Sequence, residues 1–285
     1  MNFSDILLVS DYDNTLTGER HLVPQENLDA VRAFTAEGGA FTIASGRGKR
    51  EWYESFCHVP FNAPLVLSNG AFIYDSSADK VLYRGVLTQE QVKSVKTIFR
   101  SLPEGTGGVI EVDEMSYIPE EVYEAGGFKG FPGQTVLHPP LDEIPDGWNK
   151  VSFMCRLPDF QKLAEKGEVF DFGMLDVSGV DEAEKMARKL GLSGIRSLPM
   201  MFEVPPEGTD KGTSARRLQK LLGRKVLAAI GDAPNDLAML EKADICFVPA
   251  ESILDKEGLL PEGAVLTVRC EEAAIADAVR LLREM

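Results

Sequence analysis

Residues 6–15 read Ile6-Leu7-Leu8-Val9-Ser10-Asp11-Tyr12-Asp13-Asn14-Thr15, an apolar run that ends in two closely spaced acids. Such a run, closed by a polar turn, is typical of a buried strand that enters a loop. Alternate side chains of an extended backbone point the same way, so Asp11 and Asp13 are predicted to project together from the carboxyl end of the strand. Two neighbouring anions favour a bound cation, a shared proton or both, and Mg²⁺ would meet that need. The stretch also fits an Asx-rich turn with solvated acids, so later segments of the sequence are needed to distinguish this turn from a metal site.

Strand and helix alternate after this opening stretch and again in the last third of the chain. A helical pattern follows Pro24 and ends at Gly38-Gly39, and apolar strands are predicted at 40–44 and 64–67. Beyond residue 205, helices at 211–222, 234–240 and 271–283 alternate with strands at 226–230 and 243–248. This rhythm predicts βαβ units and hence an α/β, doubly wound, Rossmann-like core with a parallel sheet.

The pattern changes between the two halves of that core. A short hairpin over 71–83 leads to a capping box, Thr88 with Gln91, which opens a helix to Arg100. Residues 103–148 are rich in Gly, Pro and acids; strands are predicted at 109–112, 151–155, 195–198 and 201–204, and helices at 158–166 and 180–190. Pro205-Pro206 then marks a boundary. We therefore predict a core of residues 1–83 and 205–285 with an inserted α+β domain at 84–204.

Composition limits the kinds of partner that the protein is expected to bind. The 285 residues carry a net charge of −15, which disfavours binding to nucleic acid or to an anionic membrane surface. The four cysteines and three histidines are scattered, so neither a disulfide framework nor a zinc site is expected. The amino terminus does not resemble a signal peptide, and no apolar run approaches the roughly 18 residues of a membrane span. We expect a cytoplasmic protein whose oligomeric state stays open.

Four segments place polar residues directly after a predicted core strand or at the start of a predicted core helix. They are Asp11-Tyr12-Asp13-Asn14-Thr15, Ser45-Gly46-Arg47, Lys211-Gly212 and Gly231-Asp232-Ala233-Pro234-Asn235-Asp236. In a doubly wound sheet these loops converge on one edge, and their carboxylates, hydroxyl and cations suit phosphoryl transfer on Mg²⁺. Ser45, with the N–H groups of a helix start, would cradle an anion, and Lys211 would contact a phosphate. Ordinary roles also fit: helix N-caps for Ser45 and Asp232, and a solvated surface position for Lys211.

These segments resemble the four motifs of the haloacid dehalogenase superfamily of phosphatases: Asp-x-Asp-x-Thr, a Ser or Thr, a Lys, and Gly-Asp-x-x-Asn-Asp. Residues 67–75 resemble the segment before the cap in the Cof-type subfamily, and 203–212 resemble its return into the core. The motifs occur in order over essentially the whole chain. The resemblance implies that 84–204 is a C2-type (C2B) cap that shapes specificity, in which Phe128, Lys129, Phe131 and Trp148 are candidate contacts or packing residues.

The resemblance also implies roles for single residues. Asp11 is similar to the nucleophile that forms an aspartyl-phosphate, and Asp13 to the general acid and base. Asp11, Asp232 and the backbone carbonyl of Asp13 resemble the Mg²⁺ ligands. The phosphate binders implied are Ser45, Gly46, Lys211 and Asn235, while Asp236, Arg47 and Asn69 would support the metal shell, the lysine or the leaving group.

The function implied is a Mg²⁺-dependent phosphatase for a small phosphorylated metabolite, with a sugar phosphate favoured. Asn14 stands where most members have Gly, which leaves the branch open between Cof-type and sucrose- or mannosylglycerate-phosphatase-like enzymes. A phosphotransferase or mutase of the phosphomannomutase type is the alternative; it would need more cations in the cap than Lys129 supplies within 126–133. A receiver module phosphorylated on Asp11 is disfavoured by the nearby Asp13 and by the insert.

Overall fold

The computed structural model describes residues 1–18, 21–130, 135–158 and 172–285. The strands of these ranges are β1 (Ile6–Ser10), β2 (Ala40–Ile43), β3 (Leu65–Leu67), β4 (Phe72–Asp75), β5 (Lys80–Arg84), β6 (Thr106–Val112), β7 (Met115–Tyr117), β8 (Val136–Leu137), β9 (Trp148–Cys155), β10 (Ile195–Leu198), β11 (Met201–Val204), β12 (Val226–Ile230), β13 (Ile245–Pro249) and β14 (Val265–Thr267). The α-helices are α1 (Gln25–Ala36), α2 (Trp52–Phe56), α3 (Gln89–Phe99), α4 (Glu120–Glu124), α5 (Ser178–Lys189), α6 (Lys211–Leu221), α7 (Leu237–Lys242), α8 (Ile253–Lys256) and α9 (Ala274–Glu284). The chain divides into two compact units, 1–85 with 208–285, and 86–207.

The first unit is built on a parallel sheet of order β14-β13-β12-β1-β2. Every residue of β1 is buried, because helices cover both faces of the sheet. Ile6 and Leu8 pack on one face with α1 and α9, while Leu7 and Val9 pack on the other with α6 and α7. The prediction of an α/β core with a doubly wound parallel sheet is confirmed.

The edges of this sheet differ from the predicted arrangement. The strand expected at 64–67 joins the parallel sheet only through a bridge between Ala44 and Val66. It pairs instead with β4, which also pairs with β5, in an antiparallel three-stranded sheet. The edge strand β14 was not predicted, because three residues are too few to show an alternating pattern and Leu266 is largely exposed.

The second unit is an α+β structure around a sheet of order β10-β11-β9-β6-β7-β8. Its core includes residues of α3 and α5, and the predicted capping box at Thr88 begins α3. Phe128 and Trp148 are buried in this core, and Lys129 lies over the ring of Tyr123. Phe131 and the helix predicted at 158–166 lie outside the described residues, apart from residue 158 itself. The role of this unit as a specificity cap stays a prediction.

No helix in the described part of the chain has the length and apolar character needed to cross a membrane.

Gly212 allows a close helix contact that positions the start of α6. A Cβ atom at this position would lie 2.0 Å from the carbonyl oxygen of Ala238 in α7. We expect Gly212→Ala to destabilise the protein by about 1–3 kcal/mol, although alanine favours an isolated helix. Urea unfolding of the variant beside Lys220→Ala, an exposed change in the same helix, measures the effect. A Gly212→Ala protein as stable as the wild type would contradict this close contact.

Candidate active site

Asp11 lies at the carboxyl edge of the parallel sheet, one residue beyond β1. Its backbone N–H donates to the carbonyl oxygen of Ile230 at 3.0 Å, and the carbonyl oxygen of Asp11 accepts the hydroxyl of Ser10 at 2.5 Å. The side chain is nearly buried. The sheet therefore fixes the backbone on which this carboxylate stands.

Lys211 is the first residue of α6, and its side chain is fully buried. The helix begins there because the carboxylate of Asp210 accepts the N–H of Thr213 at 2.7 Å. A lysine at a helix N-terminus opposes the helix dipole. Two carboxylates compensate: its Nζ donates to Oδ1 of Asp11 at 2.5 Å and to Oδ1 of Asp236 at 2.7 Å.

Asp232 and Asp236 stand in the turn that follows β12. Oδ2 of Asp236 accepts the backbone N–H groups of Asp232 and Ala233, each at 3.2 Å. Oδ1 of Asp232 accepts the hydroxyl of Thr15 at 2.8 Å. The bond from Thr15 ties Asp232 to the loop that carries Asp11, and the two N–H groups fix Asp236 within its own turn.

The three aspartates form a group that fits a metal ion. One carboxylate oxygen from each of Asp11, Asp232 and Asp236 lies within 4.8 Å of the others. Lys211 balances only one of the three charges when all are ionised, so the group has room for a divalent cation. Carboxylate oxygens are the ligands that hard cations such as Mg²⁺ prefer.

Burial and neighbouring charges shift the pKa values of these carboxyl groups and of Lys211. Burial raises the pKa of Asp11 well above its usual range, and the charge of Asp236 adds to the rise, while Lys211 opposes it. Burial, with Asp236 nearby, raises the pKa of Asp232 to about 7. Burial disfavours the charge of Lys211, but the two carboxylates outweigh this effect and raise its pKa. A carboxyl whose pKa is raised by folding reduces native stability as pH rises from about 4 through the raised value. A bound cation would relieve that cost.

Asp13 has different partners from Asp11. The backbone turns within Tyr12–Leu16, where Asn14 adopts a left-handed conformation with φ of 56°. Asp11 and Asp13 themselves keep extended φ/ψ angles, so the turn at Asn14 lies after the pair, and Asp13 meets a different cation from Asp11. Nη2 of Arg47 donates to Oδ1 of Asp13 at 2.8 Å, and Nε donates to Oδ2 at 3.2 Å.

Ser45 follows β2 and lies beside the Asp11 strand, since the N–H of Ala44 donates to the carbonyl oxygen of Ser10 at 2.8 Å. Its hydroxyl oxygen accepts the N–H of Arg47 at 3.2 Å. The helix expected directly after Ser45 begins only at Trp52, so the predicted helix N-terminus at this serine is wrong.

The remaining predicted site residues lie in nearby turns. The N–H of Asn69 donates to the carbonyl oxygen of Ser45 at 3.0 Å, and a Cβ atom on Gly46 would lie 3.3 Å from the Asn69 side chain. Asn235 is half-buried in the same short 3₁₀ turn as Asp236. Their roles toward phosphate or the leaving group stay predictions.

Thr15 was not among the predicted site residues, although it stands in the first motif. Its hydroxyl fixes Asp232 and leaves the other carboxylate oxygen for a cation. The threonine of the Asp-x-Asp-x-Thr pattern is the sequence feature that could have indicated this role.

A cleft of about 400 Å³ opens beside this group within the first unit. Asn14, Asp232, Ser252, Lys256, Arg269 and Cys270 are among its lining residues. It gives small solutes access to Asp232 from solvent.

Residues 8–252 match the family of haloacid dehalogenase-like hydrolases. The chain belongs to this family. Among its relatives in Bacillus subtilis, Phosphatase YwpJ is 25% identical over 266 residues, covering 83% of this chain and 86% of the relative. Another, 5-amino-6-(5-phospho-D-ribitylamino)uracil phosphatase YwtE, is 24% identical over 257 residues, with coverages of 82% and 83%.

The fold is shared over nearly the whole chain with a solved structure, the HAD subclass IIB sugar phosphatase BT4131. The two superpose with a TM-score of 0.74 at 18% identity, covering 98% of this chain and 99% of the other. The predicted membership of the haloacid dehalogenase superfamily and the prediction of a phosphatase are confirmed. The aspartate group fits the metal ion expected for the family.

Proposed function

We propose that this phosphatase requires Mg²⁺ and hydrolyses a small phosphomonoester through an aspartyl-phosphate on Asp11, with a sugar phosphate as the favoured substrate class. The observation that carries the proposal is the buried contact of Lys211 with Asp11 and Asp236, next to Asp232. A carboxylate held by a cation at the edge of a sheet suits nucleophilic attack on phosphorus.

In the first step, a carboxylate oxygen of Asp11 attacks phosphorus and the bond from phosphorus to the alcohol oxygen breaks. Asp13 gives its proton to that oxygen. In the second step, water attacks the phosphorus of the aspartyl-phosphate, Asp13 takes a proton from the water, and Asp11 is released as a carboxylate. Lys211 holds Asp11 throughout and offsets negative charge on the phosphoryl oxygens.

Asp11, Asp232 and the backbone carbonyl of Asp13 would hold the Mg²⁺ ion, with Asp236 orienting Lys211. When bound, the ion neutralises phosphoryl charge and orients the group for in-line transfer. The raised pKa values of Asp11 and Asp232 support a cation at this place.

The names of two similar proteins support the substrate class. One is a phosphatase of a phosphorylated ribityl compound, and another is called a sugar phosphatase. We propose a small phosphorylated metabolite as the partner and the cytoplasm as the location. The four free thiols among the described residues fit a reducing compartment.

Release of inorganic phosphate from a panel of phosphorylated metabolites tests the proposed function. We expect turnover of several sugar phosphates and of p-nitrophenyl phosphate in the presence of Mg²⁺. A panel without any turnover at saturating metal would overturn the proposal.

Removal of the metal is expected to abolish turnover. EDTA should remove the activity, and excess Mg²⁺ should restore it. Because the ion binds only the folded site, Mg²⁺ at a hundred times its Kd adds about 2.7 kcal/mol of stability and should raise the Tm. Differential scanning calorimetry with and without Mg²⁺ measures this shift, and Asp232→Asn should reduce it. Full activity in EDTA after exhaustive dialysis would contradict the metal requirement.

A further inference from the structure

Arg47 holds Asp13 with a two-point contact. Nη2 and Nε of Arg47 donate to the two oxygens of this carboxylate at 2.8 and 3.2 Å. Such paired bonds fix the plane of a carboxylate as well as its position. Both side chains are about one-third exposed, so charge attraction alone would contribute little here. The main effect of the pair is therefore to fix the orientation of the Asp13 carboxylate.

Arg47 is itself held in place from several sides. Its N–H donates to the hydroxyl oxygen of Ser45 at 3.2 Å, and its carbonyl oxygen accepts the N–H of Ser68 at 2.8 Å. The guanidinium lies 5.7 Å from the ring centroid of Tyr12, and its Nη1 is 3.4 Å from the hydroxyl of Ser55.

A second contact ties the same support to the loop of Asp13. The hydroxyl of Tyr12 donates to the carbonyl oxygen of Ser55 at 2.7 Å, and its ring packs against Phe56 with centroids 4.6 Å apart. The loop that follows Asp11 and the end of α2 therefore form one anchored support around the guanidinium.

We infer that Arg47 is a positioning residue for Asp13, which it holds toward the leaving-group oxygen rather than binding the phosphoryl group itself. This inference rests on the proposed function. The two N–H groups that a phosphate would use in a two-point contact are occupied by Asp13. The proton moves from Asp13 to the leaving oxygen as the phosphorus–oxygen bond breaks and the bond to Asp11 forms. Arg47 neither gives nor takes a proton.

The leaving group separates this role from phosphate binding. A phenolate with a pKa of about 10, like that of tyrosine, needs a proton as it departs, whereas p-nitrophenolate is a far weaker base and departs without one. Loss of a well-placed acid should therefore slow phenyl phosphate much more than p-nitrophenyl phosphate. The value of kcat/KM reports this step, because it covers all steps from free enzyme and substrate up to the first irreversible one. Here that step is the transfer of the phosphoryl group to Asp11.

The experiment measures kcat/KM for both aryl phosphates in wild type, Arg47→Ala, Arg47→Lys and Asp13→Asn. For Arg47→Ala we expect a loss of about 10²-fold with phenyl phosphate and a change within about threefold with p-nitrophenyl phosphate. Arg47→Lys should recover part of the loss, because an ammonium gives one point of attachment instead of two. The double variant Arg47→Ala/Asp13→Asn should be no slower than Asp13→Asn alone, since residues that act through one another are not additive.

Arg32→Ala is the matched control, because Arg32 also pairs with an aspartate, Asp29, on the exposed face of α1. It should leave both rates unchanged. Equal losses with both substrates in Arg47→Ala would instead assign Arg47 to the phosphoryl group. Wild-type rates, or additive losses in the double variant, would also overturn the inference. A wild-type protein that hydrolyses neither substrate would instead overturn the proposed function.

Discussion

Asp11→Asn is expected to lose turnover of every phosphomonoester by about 10⁴-fold or more, the scale seen when an enzyme loses its nucleophile. The amide cannot attack phosphorus, so no covalent intermediate forms. The side chain keeps its shape, and its oxygen can still accept a hydrogen bond from Lys211. Phosphate release and acid-quench trapping of a radiolabelled phosphoenzyme measure both parts of the effect.

The same substitution is expected to keep or raise the stability of the metal-free fold. Burial and Asp236 raise the pKa of Asp11, so its charge costs free energy in the native state above the usual carboxyl pKa. A neutral amide avoids that cost. At about pH 7.5 in EDTA, the Tm of Asp11→Asn should therefore equal or exceed that of the wild type.

Asp29→Asn is the matched control, because it makes the same chemical change in an exposed surface pair with Arg32. It should retain full activity. Wild-type turnover in Asp11→Asn would exclude Asp11 as the nucleophile. A variant that is inactive because it is unfolded would contradict the expectation that its stability equals or exceeds that of the wild type.

The residues that cluster at the sheet edge could be predicted because strand ends and loop chemistry are local features. The apolar run before Asp11 and the run before Asp232 place both acids at the carboxyl edge, and β1 and β12 are indeed neighbours. Lys211 was predicted to contact a phosphate, and its position at a helix start, which opposes the helix dipole, is explained by its buried contacts with Asp11 and Asp236.

The partners of Asp13 could not be predicted in the same way. The turn that follows Asp13, at Asn14, depends on hydrogen bonds that the sequence pattern does not reveal, such as the donation from the hydroxyl of Thr17 to the carbonyl oxygen of Tyr12. The late start of α2 was missed for a related reason. Ser45 resembles an N-cap, yet its hydroxyl oxygen serves a turn at Arg47 instead of a helix.

Lys211→Met is expected to cause the largest loss of stability of any single substitution in the site. Methionine fills a similar volume but leaves Asp11 and Asp236 buried without their cation. Breaking a buried pair in this way costs about 3–5 kcal/mol, which corresponds to a fall in Tm on the order of 10 °C. Turnover should also be lost, because a cation no longer holds Asp11 or the phosphoryl oxygens.

The loss should depend on pH in a defined direction. Without Lys211, the opposing influence on the Asp11 carboxyl disappears, so its already raised pKa rises further. A carboxyl that is protonated in the fold carries no unpaired charge. The destabilisation of Lys211→Met should therefore be smaller at about pH 5 than at about pH 8. Thermal unfolding in EDTA across this range measures the slope.

Two further variants separate charge pairing from chemistry. Lys150 lies buried in the second unit between Glu111 and Glu203, each at 3.1 Å, so Lys150→Met leaves a comparable pair of carboxylates without a cation away from Asp11. It should lose stability but hydrolyse p-nitrophenyl phosphate below its own Tm. Lys211→Met/Asp236→Asn should regain part of the lost stability, since one stranded charge is gone, and remain inactive. Turnover in Lys211→Met below its Tm would show that the lysine only balances charge and has no part in catalysis. An unchanged Tm in this variant would show that the burial of Asp11 and Asp236 does not require the lysine.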